Sequence, residues 1–171
     1  MTRGVPEIMI ERRGGLRWLA LSAAVIVIDQ LSKWALIATL HPGDQRVVTG
    51  FFSLVLTFNT GAAFSFLRDA GDWARYLFSA VAIAAAALII WLLRKGGDAW
   101  YCAGLALILG GALGNLWDRL TLGRVVDFLL FHWERWYYPA FNVADSAITV
   151  GAALLILDTF RRRRDGPAAV H

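Results

Sequence analysis

The chain alternates long apolar blocks with short polar punctuation. Four blocks, at about 17–38, 73–93, 99–118 and 142–160, are long enough to cross a hydrocarbon core of ~30 Å. They predict four transmembrane helices. Tryptophans bracket three of them: Trp18 with Trp34, Trp73 with Trp91, and Trp100 with Trp117. A helical rise of about 1.5 Å per residue sets these pairs roughly 24–27 Å apart, the spacing of two interfacial belts. The fourth block is preceded by Trp133, Trp136, Tyr137 and Tyr138 and ends at Phe160. A different period follows the first block. In FFSLVLTFN, Phe52, Leu54, Leu56 and Phe58 alternate with Ser53, Val55, Thr57 and Asn59, the period of two of a strand. Gly50 and Gly61 punctuate it. A β region over about 45–66 is predicted. The connection at about 119–141 is aromatic and turn-rich, and FLLFHWERW within it reads as a brief interfacial helix or loop. The expected architecture is a single membrane all-α domain over 1–171: a four-helix bundle with a small β-sheet at one surface.

Composition agrees with the pattern. Hydrophobic residues make up 58% and charged residues 18%, and mean hydropathy is +0.54, too apolar for an ordinary soluble domain. The net charge of +4 does not point to nucleic acid, because the cations stand in short blocks beside the apolar runs. Arg12, Arg13 and Arg17 precede the first span, Arg94 and Lys95 follow the second, and Arg161 to Arg164 follow the fourth. The positive-inside rule then places both termini and the second connection in the cytoplasm. The first and third connections face outward. The first span continues through Asp29 and Lys33 without a small-x-small cleavage site and reads as retained. Cys102 stands alone in an apolar run, a buried small hydrophobe.

Ionisable residues near bilayer depth cost roughly 2.5–3.5 kcal/mol each on insertion scales, so each needs a reason. Asp29 and Lys33 are spaced i, i+4 in the first span and read first as a structural ion pair. Asn115, Asp118 and Arg119 close the third span; Asp118 and Arg119 read equally as an interfacial cap. Asn142 and Asp145 open the fourth and read equally as an N-cap. Gly110 and Gly114 form a small-xxx-small pair suited to helix packing. Asp158 reads as an ordinary boundary residue at the other end. With the predicted topology, all three polar groups converge on one depth near the outer interface. Asp127 joins them from the third connection, framed by Val126 and Phe128; no helix start or basic neighbour explains it.

Several chemistries are excluded by pattern. HExxH is absent, and His41, His132 and His171 lack ligand spacing. There is no Gly-x-Ser-x-Gly elbow and no phosphate-binding Gly-Lys-Ser/Thr loop. Ser32 and Lys33 are adjacent and point to different sides of a helix. Asp127 and Asp145 remain, in separate segments at one predicted depth. Two close carboxylates share a proton, and such a pair activates water as base and protonates a leaving group as acid. Two other classes compete. An ion or proton carrier would place polar residues through the full depth, whereas here they cluster near one face. A non-enzymatic membrane scaffold would use the acids only as caps.

Five ordered blocks then carry a resemblance: DQLSK (29–33), FNTGAAFS (58–65), GGALGNLWDR (110–119), VVDF (125–128) and FNVADSAI (141–148). The chain resembles the signal peptidase II family over about 18–160. The resemblance implies four transmembrane helices, an outer-surface sheet cradle, and Asp127 and Asp145 as the catalytic pair. It implies that Asn59, Gly61, Asn115, Asp118, Arg119 and Asn142 surround substrate and dyad, with Asp29 and Lys33 in support. The implied substrate is a lipoprotein precursor whose lipobox cysteine carries a diacylglyceryl group, cleaved on the amino side of that cysteine. The implied setting is the bacterial cytoplasmic membrane, with membrane lipids and lipidated precursors as partners. No metal, cofactor or nucleic acid is expected, and the chain is expected to act as a monomer.

Overall fold

The computed structural model describes residues 14–60 and 73–164. Four long helices follow the four apolar blocks: α1 Leu19–Thr39, α2 Trp73–Lys95, α3 Ala99–Thr121 and α4 Val143–Arg164. A 3-10 turn, Gly15–Trp18, leads into α1. All four helices have the length and hydropathy to cross a membrane. Their large outward side chains, including Val27, Leu31 and Trp34 on α1 and Val81 and Leu88 on α2, are more than half exposed. Such faces are stable only against lipid or another apolar surface.

The third helix is the axis of the bundle. Its spanning window is 56% buried, against 22% for each of the other three, and α1, α2 and α4 each pack on it. Small residues make the close approach possible. A Cβ on Gly110 would meet Val25 Cβ at 2.7 Å and Ser22 O at 2.8 Å; one on Gly111 would collide with Ala144 O. Gly110 therefore seats α1, the packing role expected of it. Gly111, which the small-xxx-small pair did not include, seats α4, and Gly114 lies against Asp29 of α1. The second helix rests on α3 and, at the end away from the sheet, on the Gly15–Trp18 turn. There Gly15 abuts the Leu93 backbone. At the sheet end Arg75 Nη2 donates to Leu120 O at 3.0 Å. Among the described residues no substantial interface joins α2 to α4, which leaves the flank of α3 between them open.

The end opposite the sheet is tied by ions. Asp98 caps α3, its side chain accepting from Tyr101 N at 3.0 Å. Arg161 and Arg162 reach Asp98 at 3.0 and 2.8 Å and also clamp Asp158. Asp158 is buried, so it is a tether between α4 and the start of α3 and more than the boundary residue expected. Cys102 is fully buried in the core with Leu93, Leu105 and Leu109.

Four antiparallel strands form one sheet in the order β1-β2-β3-β4. They are β1 Gln45–Thr49, β2 Phe52–Asn59, β3 Val125–Trp133 and β4 Trp136–Tyr137. Two expectations change here. The stretch FLLFHWERW, expected as a brief helix or loop, is β3 and its hairpin. Its β-branched and aromatic residues find a ladder partner in β2, from Phe52↔Phe131 to Asn59↔Val125, and long-range pairing overrides the local ambiguity. The hairpin turns at Glu134 with φ +51°. The strict alternation in β2 also breaks. The register shifts between Leu54 and Thr57, a bulge that switches the facing of the side chains. Phe52 and Leu54 therefore share a face with Thr57 and Asn59, while Leu56 turns to the other side and is buried with Leu40 and Val126. The bulge brings Asn59 onto the face that carries Asp127.

Candidate active site

The N-terminus of α4 organises the site. Asn142 is its N-cap: Oδ1 accepts from Asp145 N at 2.9 Å. Asp145 Oδ2 in turn accepts from Asn142 N at 3.2 Å. This is a reciprocal capping box. The expected capping role is thus real, and it does more than start a helix. With Oδ1 committed to the cap, Asn142 Nδ2 must point the other way. It lies 2.8 Å from Asp127 Oδ1, and 3.1 Å from both Asn115 Oδ1 and Val126 O. Asn142 therefore touches both carboxyls, that of Asp145 on α4 through its backbone N–H and that of Asp127 on β3 through its side-chain Nδ2.

Asn115 on α3 is fixed by the same logic. Its Oδ1 receives Lys33 Nζ and Asn142 Nδ2, each at 3.1 Å. Its Nδ2 is left to donate to Asp145 Oδ1 at 2.8 Å. Lys33, 2% exposed, also pairs with Asp29 Oδ2 at 2.7 Å and Asp118 Oδ2 at 2.8 Å. Three acceptors thus satisfy its three donors. The expected Asp29–Lys33 ion pair is present, but as part of a larger net. Asp29 Oδ1 accepts from Ala144 N at 2.9 Å, a second carboxylate at the positive end of α4. Asp118 Oδ2 accepts from Val126 N at 3.1 Å and so anchors the start of β3. Asp118 is no exposed interfacial cap; it is buried.

One member of this net escaped the sequence reading. Gln30 Nε2 approaches Asp118 Oδ1 at 2.9 Å, and Asp29 Oδ2 and Gly114 O at 3.2 Å each. The signal was available: Gln30 is a third polar residue beside Asp29 and Lys33 in an apolar span. Gly114 makes the room, since a Cβ there would sit 2.8 Å from Asp29 Oδ2.

Asp127 is 2% exposed. Burial and then the charge of Asp145 push its carboxyl up to about 6, against the pull of hydrogen bonds from Asn59 and Asn142 and of the Lys33 charge. Four acids, Asp29, Asp118, Asp127 and Asp145, stand here with two cations, Lys33 and Arg119. A retained proton relieves that imbalance. Arg119 is half-buried and pairs with neither Asp127 nor Asp145 among the described residues. Its Nη1 donates to Asn115 O at 3.3 Å and its guanidinium lies 5.4 Å from the Phe78 ring. Gly61 lies outside the described residues. The structure thus gathers Asp29, Lys33, Asn59, Asn115, Asp118, Asp127, Asn142 and Asp145 at one end of the bundle, with Arg119 at the edge.

The family model described as signal peptidase (SPase) II matches residues 21–161. A lipoprotein signal peptidase of Pseudomonas aeruginosa (strain UCBPP-PA14) is 54% identical over 169 residues, covering 96% of this chain and 99% of the relative. One from Ralstonia nicotianae is 54% identical over 148 residues, covering 86% of each. A bacterial membrane enzyme solved by the in meso method at 2.3 Å superposes with a TM-score of 0.78 at 25% identity, covering 91% of this chain and 94% of the other. A second, at 1.9 Å, gives 0.75 at 27% identity, covering 84% and 92%. With matching blocks, four spans and a family model that runs from α1 to the end of α4, the chain belongs to the signal peptidase II family.

Proposed function

We propose that this protein is an aspartyl endopeptidase of the bacterial cytoplasmic membrane. It removes the signal peptide from lipoprotein precursors, cutting on the amino side of a cysteine that carries a diacylglyceryl group. Both termini lie in the cytoplasm, the sheet end faces outward, and the enzyme acts as a monomer. The observation that carries the chemistry is the buried Asp127, its carboxyl raised to about 6, linked to Asp145 through one residue, Asn142, whose side-chain Nδ2 donates to Asp127 and whose backbone N–H donates to Asp145.

The unequal surroundings assign the roles. Asp127 holds the proton. Asp145, bonded to Asn115 Nδ2 and Asn142 N, is the carboxylate that takes a proton from water. The resulting hydroxide adds to the scissile carbonyl carbon as Asp127 protonates the carbonyl oxygen, giving a gem-diol. Asp145 then passes its proton to the leaving nitrogen, the C–N bond breaks, and Asp127 recovers its proton from the diol. Asn59 steadies Asp127. Arg119, unpaired with either acid, is placed to hold a substrate carbonyl or the developing oxyanion. The open flank of α3 between α2 and α4 admits an apolar signal peptide sideways from lipid. Asp127→Asn and Asp145→Asn, each at normal membrane levels, abolish precursor cleavage; turnover in either variant removes that residue from the chemistry.

A further inference from the structure

The hydrogen bonds of the site leave one adjacent space unused. A cavity of about 530 Å³ lies between the β3–β4 hairpin and α4. Phe131, Trp136, Tyr138 and Phe141 form one wall, and Thr149 and Val150 belong to the other. The aromatic wall is preassembled: Phe131 stacks on Phe141 at 5.8 Å, and Tyr138 meets Phe141 edge-on at 5.9 Å. Asp145 is the one charged residue of the lining among the described residues. On α4, Ala144 and Ile148 face Gly111 of α3. Residues 145, 146, 149 and 150 occupy the other side of the helix, and Val150 is 52% exposed. The cavity therefore opens where lipid would be. It is also continuous with the dyad along β3, since Phe131 shares the strand face of Asp127 and lies roughly 13 Å along it.

The lining is suited to hydrocarbon and not to peptide. Of its three hydroxyls, those of Ser146 and Thr149 are already spent: Ser146 Oγ donates to Asn142 O and Thr149 Oγ1 to Asp145 O, both at 2.9 Å. A peptide segment would bring more amide groups than the Tyr138 hydroxyl and the Trp136 indole N–H can partner. Hydrocarbon brings none. The chemistry of the substrate supplies the rest, given the dyad reading above, on which this inference rests. The leaving nitrogen belongs to the lipidated cysteine, and only three covalent bonds separate it from the thioether sulfur. When the scissile bond sits at Asp145, the glyceryl group must begin within a few bonds of this cavity.

We propose that the cavity between the β3–β4 aromatic wall and α4 receives an acyl chain of the lipidated cysteine. The protein then grips the lipid itself, instead of leaving both chains in the bilayer.

Two measurements test this. Thr149→Trp and Val150→Trp narrow the cavity from a lipid-facing helix surface. Precursor peptides carrying dipalmitoyl and dioctanoyl glyceryl groups are compared in detergent micelles. The expected result is that the long-chain to short-chain ratio of kcat/KM falls at least tenfold in each variant. An unchanged ratio overturns the proposal, as does an equal loss for both substrates in variants that unfold at the wild-type temperature. The second measurement is independent of turnover. A precursor with a photoreactive group at the acyl terminus is bound to the Asp127→Asn variant and irradiated. Cross-links to residues 131–150 are expected; cross-links confined to α1 and α2, or competed away by bilayer phospholipid alone, overturn it. If the wild-type protein cleaves no lipidated precursor, it is the underlying functional reading that fails.

Discussion

Replacing Gly111 by alanine displaces the acid on α4 without touching it. The new methyl would collide with Ala144 O and lie 2.7 Å from Ile148 Cγ1. Comfortable carbon–carbon contacts are about 3.5–4.0 Å, so α4 must retreat by about 1 Å at the level of Ala144. The capping box of Asn142 and Asp145 lies within one turn and moves with the helix. The bonds that arrive from other helices do not. Asn115 Nδ2 to Asp145 Oδ1, now 2.8 Å, and Ala144 N to Asp29 Oδ1, now 2.9 Å, stretch toward 4 Å, beyond hydrogen-bond reach. A misplacement of about 1 Å in a reacting group costs roughly 10²-fold in rate, about 2.7 kcal/mol of barrier. Overpacking costs a further 1–3 kcal/mol or so of stability. The assay is cleavage of a lipidated precursor in micelles, with thermal unfolding measured beside it. The kcat of Gly111→Ala falls about 100-fold while the protein stays folded. Gly50→Ala, where an added Cβ meets nothing within 4 Å, stays within about twofold. Wild-type turnover in Gly111→Ala would refute the dependence on helix approach, and an equal loss in Gly50→Ala would show that the effect is not local.

Three further outcomes follow from the same geometry. On the proposed mechanism Asp127 acts as the acid in its protonated form, so kcat/KM, which reports the free enzyme, declines as pH rises through about 6. Asn59→Ala removes a bond that favours the carboxylate and moves this decline to higher pH; a stationary or downward limb in the pH–rate profile contradicts the assignment. Lys33→Met leaves Asp29 and Asp118 buried without their shared cation, a loss of about 3–5 kcal/mol, read as a large fall in unfolding temperature; a stability within 1 kcal/mol or so of wild type would mean the net is not held by charge. Asp158→Asn weakens the clamp by Arg161 and Arg162 at the far end of the bundle. It lowers thermal stability but leaves kcat within about twofold, and a tenfold loss of kcat at unchanged stability would show that the two ends are coupled.

Much of the molecule was legible from short-range pattern. The four spans were readable to within a few residues, because an apolar run of bilayer length has few alternatives and the tryptophans mark where it meets water. The β2 strand was readable from its period. Asp127 stood out because an acid between Val126 and Phe128 has no local partner. What stayed hidden depended on partners distant in sequence. β3 looked like a helix or loop until β2 supplied its ladder, and the phase of β2 itself depends on a bulge that only pairing reveals. Lys33 could be matched to Asp29 by spacing, yet its bonds to Asn115 and Asp118 cross 82 and 85 positions in number, from α1 to α3.

The sequence by itself determined which residues could carry chemistry and toward which ends of the spans they stand, since both follow from the cost of placing polar groups along an apolar run. It left two readings of Asn142 and Asp145, cap or active site, equally open. Tertiary structure decided that they are one arrangement. The capping box orients the Asn142 amide, and the opposite edge of that amide reaches Asp127 on a strand from another segment. Whether an amide edge meets a carboxyl depends on how closely α3 and α4 approach and how β3 is registered, and those are properties of packing that no local stretch of chain contains.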